Sequence, residues 1–418
     1  MDLVKANIHY HSDCEFFAGC ENMLANLFND TRLSQAYNIT FSYRRTPRYI
    51  EGFTARVSQP PPSQTYPLLA DDAVHLWCRS LPAPLSLAMR ILQYICLVRY
   101  WILVWNVLVL VKAWNGRKID ILHVNNGGYP GASSCRAAVL AGRLCGIRKI
   151  LMVVNNTAVT PRRSTQVIEI PLNFWISKCV TFFVTGSRHA ALALADVLRV
   201  PSSKVLNFHN GIAPRPTFKG ADETRARLGV SPGALLFGIV ALLEERKGHR
   251  NLIQAMAILR DRIPAGTLPT LLVEGSGPDE KDLRSLVVQS GLSDNVRFIG
   301  HESNVFEFML ALDVLVLPSI RNEDFPNVIL EAMSLGKAVI ASKLAGVPEQ
   351  IEDGVTGWLV APNNPDDLAS VMAQLVSQKG LIARAGNNAK VRFEKLFSAN
   401  IAVSRYLALY HDIFGKRS

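Results

Sequence analysis

Two carboxylates, Glu323 and Glu331, stand eight positions apart in the stretch Asp313 to Ser342, DVLVLPSIRNEDFPNVILEAMSLGKAVIAS. A carboxylate accepts hydrogen bonds from hydroxyl groups, so one in a loop and one on a helix can grip two different sugar rings of one ligand. The flanking residues say which elements must hold them. Val314 to Leu317 is a continuous apolar run, as in a strand covered on both faces of a parallel sheet. Arg321 to Asp324 is polar and reads as a loop, Pro326 can open a helix, and Gly336 can close it. Ala338 to Ala341 returns as the next strand. Such a β-α-β unit binds ligands at the carboxyl ends of its strands, which places the loop Asn322 to Asn327 at the site. The helix N-terminus there, with free N–H groups and partial positive charge, can hold a diphosphate. A bare pair of glutamates at this spacing is usually a solvated loop, so the weight rests on the surrounding F-P-N-V-x-L-E-A-M-x-x-G.

Those residues closely resemble the signature of the retaining glycosyltransferases of family 4, which have the GT-B fold. Further motifs follow the family's order: Asn210-Gly211-Ile212, Glu245 to His249 (ERKGH, for E-x-K-G-H), Gly275 to Pro278 (G-x-G-P), Val296 to Gly300 (V-x-F-x-G) and Gly346 to Glu349 (G-V-P-E). Asp353-Gly354 and Thr356-Gly357 complete a set covering residues 207 to 362. The resemblance implies an α/β protein of two Rossmann-like domains facing across a cleft, with a last helix crossing back to the first. It implies a glycosyltransferase of the hexosyltransferase type. Lys247 would then face the donor diphosphate, Glu323 the sugar hydroxyls and Glu331 the ribose. Phe325, Asn327 and Val328 would offer backbone N–H groups, with Pro326 between them lacking one, and the loop around Phe298 and Gly300 would border the base. Gly275 would line the donor site with them. Gly19 and Glu21 match a G-G-x-E-like turn that the family places beside the donor phosphates.

Two positions depart from the pattern. Leu242 stands where the family carries an arginine, which leaves either Arg246 or Arg321 to supply that cation or a donor site weaker than usual. At the strand end Val153 to Thr157, where many members place a histidine near the anomeric carbon, this chain offers Asn155 and Asn156. Asn156 is taken as the catalytic candidate beside Glu323 and Lys247. An amide holds a hydroxyl but does not shuttle protons, which suits a front-face retaining mechanism whose leaving phosphate takes the acceptor proton. The chain has no Asp-x-Asp triplet and no His/Cys/carboxylate cluster with metal spacing, so no metal and no cofactor beyond the nucleotide-sugar co-substrate is expected. Without a G-x-S-x-G elbow or a full dinucleotide fingerprint, hydrolase and dehydrogenase readings fall away.

The length of 418 residues calls for two domains. The expected division is 1–205 (acceptor domain), 206–395 (donor domain) and 396–418 (returning helix), with Pro201 to Asn210 as hinge and Leu381 to Phe414 helical. Strands are expected at Ile119 to Val124 and Lys149 to Val154, with a helix from Ala132 to Cys145 and a glycine-rich loop from Asn125 to Gly131. Seven cysteines without a C-x-x-C pair read as buried free thiols. The net charge of +11 is uneven: residues 1–200 carry 21 Lys+Arg against 11 Asp+Glu, whereas residues 201–418 carry 24 against 23. Arg44, Arg45, Arg48, Arg117, Lys118, Arg148, Lys149, Arg162 and Arg163 contribute to the excess.

The segment Leu81 to Trp114 selects a membrane surface as the partner of that charge, with no nucleic acid implied. Its uncharged stretch Tyr100 to Val111 is too short for a span of about 20 residues, which favours an interfacial, monotopic helix or hairpin with Trp101, Trp105 and Trp114 near the headgroups over the alternative, a buried core helix pair of the N-terminal domain. The N-terminus shows no secretory signal pattern, so the expected place is the cytosolic face of a membrane. The sequence thus points to a metal-independent retaining enzyme moving a sugar from a nucleotide donor to a lipid-linked or cell-surface polysaccharide acceptor. Alternatives are another GT-B chemistry, such as a phosphorylase or nucleotide-sugar epimerase, and an inactive GT-B membrane scaffold.

Overall fold

The computed structural model of the protein describes residues 5–17, 19–70, 77–78, 80–95, 97–158, 169–302 and 304–415. Arg162, Arg163 and Cys96 lie outside them. The chain forms two compact units, residues 1–208 with 402–418, and residues 209–401.

The first unit holds β1 (Ala6–Ser12), β2 (Tyr37–Arg44), β3 (Ser63–Tyr66), β4 (Ile121–Asn126), β5 (Lys149–Val154), β6 (Phe182–Thr185) and β7 (Val205–Asn207). They make one parallel sheet in the order β3-β2-β1-β4-β5-β6-β7. Ile121 and Leu151 face one core while Leu122, Ile150 and Met152 face the other, which is why these strands read as unbroken apolar runs. The winding reverses between β1 and β4, so the ends of those two strands open a crevice.

β4 starts two residues later than the sequence suggests and takes in Asn125 and Asn126, expected in the loop. Their amides are satisfied in place: Asn125 donates to the Glu21 carboxylate at 2.7 Å, and Asn126 Oδ1 accepts the Ala132 N–H at 3.2 Å. Buried polar side chains with partners let the strand continue. The presumed hinge is also regular, since Ser202–Lys204 is a 3-10 turn and β7 is the sheet's edge strand, pairing Val205 with Phe183.

The second unit holds β8 (Leu236–Val240), β9 (Thr270–Glu274), β10 (Val296–Gly300), β11 (Val314–Leu317), β12 (Ala338–Ser342) and β13 (Trp358–Val360). Their order, β10-β9-β8-β11-β12-β13, is again all parallel and reverses between β8 and β11. Val314 and Val316 enter one core, Leu315 and Leu317 the other. Phe298 lies in β10 itself and not in a loop, with the Arg284 guanidinium 4.5 Å above its ring.

Residues 81–114 form two helices, Ala83–Ile95 and Val98–Trp114. Asn106 anchors the second by a two-way bond to the Leu69 backbone, at 2.9 Å in each direction. Trp101 points to solvent and Trp105 is half exposed, its indole N–H donating to the Pro67 carbonyl at 3.1 Å, but Trp114 is fully buried against the rings of His9 and His11, with centroids at 5.0 and 5.9 Å. The expectation that Trp114 sits near headgroups is therefore wrong: it is a core residue that closes one face of the first sheet. Among the described residues no helix is long and apolar enough to cross a membrane.

The C-terminal stretch is two helices, Gly380–Leu396 and Ala399–Gly415, interrupted where Phe397 and Ala399 bond both backbone groups of Ile212. The last turns belong to the first unit. There Tyr410 Oη accepts from Tyr10 at 3.0 Å and lies 2.7 Å from His123 Nδ1.

The first unit buries three histidines as neutral rings. Burial pushes His9 down to about 3, His11 to about 4 and His123 to about 3 from 6.5. Below pH 6.5 the unfolded chain binds protons that these folded rings refuse, so each histidine costs roughly 1 kcal/mol of stability per pH unit down to its folded value. Buried Glu21, raised from 4.5 to about 7, acts in the opposite sense between pH 7 and 4.5. Three groups oppose one. The denaturant midpoint is expected to fall from pH 7 to pH 5.5, by roughly 2 kcal/mol of unfolding free energy; a midpoint that holds or rises would contradict neutral burial.

Candidate functional site

The crevice of the second sheet is formed by the loops that leave β8 and β11. The first loop runs from Ala241 through a 3-10 turn, Glu245–Lys247, to Gly248, which begins the helix His249–Arg262. Gly248 has φ of +75°, and a Cβ there would stand 2.0 Å from the carbonyl oxygen of Pro318 in the second loop. Only glycine allows that approach. The loops are then tied by the Ile320 N–H, which donates to the Arg246 carbonyl at 2.8 Å. A third loop, after β9, lies against the first: Gly275 has φ of +126°, and its missing Cβ would fall 2.1 Å from the Ala241 carbonyl oxygen.

This arrangement brings Lys247 and Glu323 together, although 76 positions separate them. The Lys247 ammonium donates to Glu323 Oε1, the Ser319 hydroxyl donates to the same oxygen at 2.9 Å, and Arg246 Nη1 lies 3.7 Å from it. The two charged side chains are 14% and 8% exposed, so water screens the pair weakly. Arg246 is also held by Glu244 at 2.8 Å. Arg321, the other substitute for the cation missing at Leu242, pairs with Glu245 at 3.0 Å on the exposed rim. Of the two, Arg246 is the one beside the carboxylate.

Pro326 caps the helix Asn327–Ser334, as its spacing before Gly336 suggests. Phe325, just before it, is buried and stacks on His209, with ring centroids 4.9 Å apart and planes within 6°. His209 Nε2 in turn lies 3.1 Å from the Glu349 carboxylate, Asn210 donates to Asn327 at 3.3 Å, and Gln350 donates to the Pro326 carbonyl at 3.0 Å. Three separate motifs therefore converge on the start of one helix. Val328 and half-buried Glu331 occupy its first two turns. Buried His249 is pushed down to about 4, first by burial and then by the charge of Lys247, so it is neutral at physiological pH. Glu274, at the end of β9, is raised by burial while His301 Nδ1 stands 3.3 Å away.

In the first unit, the turn Gly19–Glu21 follows β1. Glu21 is fully buried and accepts from Ser12 and Asn125, each at 2.7 Å. Its oxygens face the protein, and it organises the turn that presents Gly19. Asn155 Nδ2 extends this network to Asn125 Oδ1 at 3.0 Å, whereas Asn156 is exposed and bonds the Gly127 carbonyl at 3.0 Å. Sequence reading missed Ser319, at the strand end before the loop, and His209, directly before Asn210-Gly211. Both are visible only once their partners, Glu323 and Phe325, are located.

Residues 221–392 match the family model described as glycosyl transferases group 1. The chain is 28% identical over 297 residues to N-acetyl-α-D-glucosaminyl L-malate synthase of Bacillus anthracis, covering 71% of this chain and 75% of that protein. It is 34% identical over 205 residues to D-inositol 3-phosphate glycosyltransferase of Actinosynnema mirum, where the match spans 46% of this chain and 48% of the relative. Anabaena HepE in complex with UDP superimposes with a TM-score of 0.75 at 17% identity, over 97% of this chain and all of that one. A glycosyltransferase from Rickettsia africae gives 0.77 at 16%, over 99% and 100%. At those identities the structures speak to the fold alone. The ordered motifs, the reversal point they occupy and these matches make residues 221–392 similar to the group 1 glycosyl transferases, and the chain a glycosyltransferase with the α/β GT-B fold.

Proposed function

We infer that the protein is a retaining, metal-independent glycosyltransferase that moves a sugar from a nucleotide-diphosphate donor to a lipid-linked or cell-surface polysaccharide acceptor, working peripherally on the cytosolic face of a membrane. The observation that carries the donor assignment is the cluster of Lys247, Arg246 and Ser319 around Glu323 at the reversal point of the second sheet. Lys247 is paired with Glu323 and Arg246 with Glu244 at 2.8 Å, so what suits the cluster to a diphosphate is the remaining N–H donors of the two cations. An ammonium has three donors, and the bond to Glu323 uses one. HepE, of the same fold, has been crystallised with UDP-glucose, which favours a uridine nucleotide.

In this reading Lys247, with Arg246 behind it, balances the charge that develops on the leaving diphosphate. Glu323, fixed by Lys247 and Ser319, holds the donor sugar hydroxyls, and Glu331 the ribose. Backbone groups from Phe325 to Val328 complete the phosphate site with Gly275 and Gly19, and Phe298 borders the base. Asn156 orients a hydroxyl near the anomeric carbon. The acceptor proton goes to the leaving phosphate oxygen as the glycosidic bond forms, and the same face of the sugar is kept.

Membrane attachment is supported by the helices Ala83–Ile95 and Val98–Trp114, where Trp101 and Trp105 are exposed, and by the basic excess of residues 1–200. Detergent-free lysates spun at high speed at low salt should leave most of the full-length protein in the pellet, and its recovery in the supernatant would count against attachment. Glu323→Ala and Lys247→Ala should each lower kcat/KM by about 10²- to 10³-fold, and unchanged transfer by either variant would remove that residue from the site. In a thermal-shift panel of UDP-, GDP-, ADP- and CMP-sugars, a UDP-sugar should raise Tm equally with and without EDTA. A shift abolished by EDTA would require a metal.

A further inference from the structure

The first unit carries a second exposed aromatic stripe, on a helix outside the segment that hydropathy singles out. On Val98–Trp114 the exposed side chains Trp101, Val104, Trp105 and Leu108 recur at helical spacing, and Trp101 is 70% exposed. On Ile170–Cys179 the exposed residues are Ile170, Phe174 and Trp175, the last 55% exposed, again on one face. Asn173 and Ile176 of that helix are buried. It is therefore seated on the protein by one side while its largest side chains point away.

The two stripes begin at one place. Glu169, 3% exposed, immediately precedes the second helix, and it binds Arg99 at 2.7 Å and Arg136 at 3.3 Å. Arg99 stands two residues before Trp101, and Glu169 one residue before Ile170. A buried carboxylate held by two guanidiniums fixes the geometry, because removing either partner would leave an uncompensated charge. Both helices also pack on the helix Ser133–Leu144. The two aromatic faces are thus parts of one rigid support.

The charge around them identifies what they meet. From Asp72 to Asp196 the intervening chain holds 14 Lys+Arg and only two carboxylates, Asp120 and Glu169. Asp120 is occupied by the backbone N–H and side-chain amide of Asn7, and Glu169 is the buried group just described. Lys178 lies over the Phe174 ring at 4.4 Å and Lys112 follows the first stripe, both exposed. Exposed tryptophans beside cations, with no exposed carboxylate from this stretch, match an anionic bilayer surface, where the rings enter the headgroup layer and the cations meet lipid phosphates.

We propose that the helix Ile170–Cys179 is a second membrane-contacting element, which inserts Phe174 and Trp175 into an anionic lipid surface alongside Trp101 and Trp105. The proposal rests on the membrane reading above and adds to it the element, the residues and the lipid charge. It also orients the first unit, since two helices fixed to one support define a plane where a single helix defines only a line.

The test is co-sedimentation of the full-length protein with vesicles of phosphatidylcholine containing phosphatidylglycerol, together with quenching of tryptophan emission by brominated lipid. The wild type should bind, more weakly as salt rises. F174S/W175S should lose at least tenfold in partitioning, the order expected when an aromatic pair leaves the interface. W175F, a change that preserves the fold, should lower the lipid-quenched share of emission. Binding by the wild type with F174S/W175S unaffected and the quenched share unchanged in W175F would overturn the role of this helix while leaving attachment through residues 81–114 standing. No binding by the wild type would remove both. A lipid-free dimer in sedimentation velocity that F174S/W175S dissociates would overturn the proposal in favour of a second copy as the covering surface.

Discussion

A side chain at position 248 would put its Cβ 2.0 Å from the Pro318 carbonyl oxygen, so the loops after β8 and β11 can close on one another only across a glycine. Neighbouring strands lie about 4.8 Å apart, but that spacing alone leaves the loops beyond them free to diverge. The contact between Gly248 and Pro318, with the bond from Ile320 to Arg246, makes them converge. Lys247 reaches Glu323, Arg246 comes beside the same carboxylate, and the helix His249–Arg262 starts in line. Residues 245–249 matter as a geometric device as much as for their charges.

Holding Lys247 and Glu323 together at low exposure has a cost. Desolvation of two charges can exceed their attraction unless remaining hydrogen-bonding capacity is filled. Ser319 fills part of it on the carboxylate side, and Arg246 adds a second positive charge at 3.7 Å. The result is a carboxylate fixed between two cations, the second of which is itself balanced by Glu244 at 2.8 Å. Behind it, the stack of Phe325 on His209 and the bonds from Asn210 and Gln350 fix where the helix Asn327–Ser334 begins. The positive end of that helix is aimed by His209 and Asn210, more than a hundred positions away in sequence, and by Gln350, 24 positions beyond Pro326.

The first unit meets the same demand with neutral groups. At the ends of β1, β4 and β5, Ser12, Asn125 and Asn155 form a chain of amides and hydroxyls around Glu21. Burial raises that carboxyl to about 7, so near neutrality it is poised between its two forms. The amides serve both forms, since Asn125 and Ser12 donate to a carboxylate and can accept from an acid. Paired charge lies beside this network, where buried Asp13 accepts from Arg44 at 2.6 Å, and in the Glu169 network.

Much of this was legible in the sequence. Unbroken apolar runs marked parallel strands covered on both faces, Pro326 and Gly336 bounded a helix, and the ordered motifs located Lys247, Glu323 and their loops. Sequence spacing cannot show which side chains meet across the crevice, so the partnership of Lys247 with Glu323 and the roles of Ser319 and His209 waited for the fold. Residues 98–114 show the limit best. The helix is apolar on every side, so no hydropathy pattern distinguishes an inner from an outer face, and Trp101, Trp105 and Trp114 read alike. Packing decided between them. With Asn106 tied to Leu69 and the ring of Trp114 between His9 and His11, Trp101 and Trp105 are left facing outward. Composition and order determined the fold and picked out the candidate site groups, whereas direction, burial and pairing are properties of side chains that only the folded chain brings together.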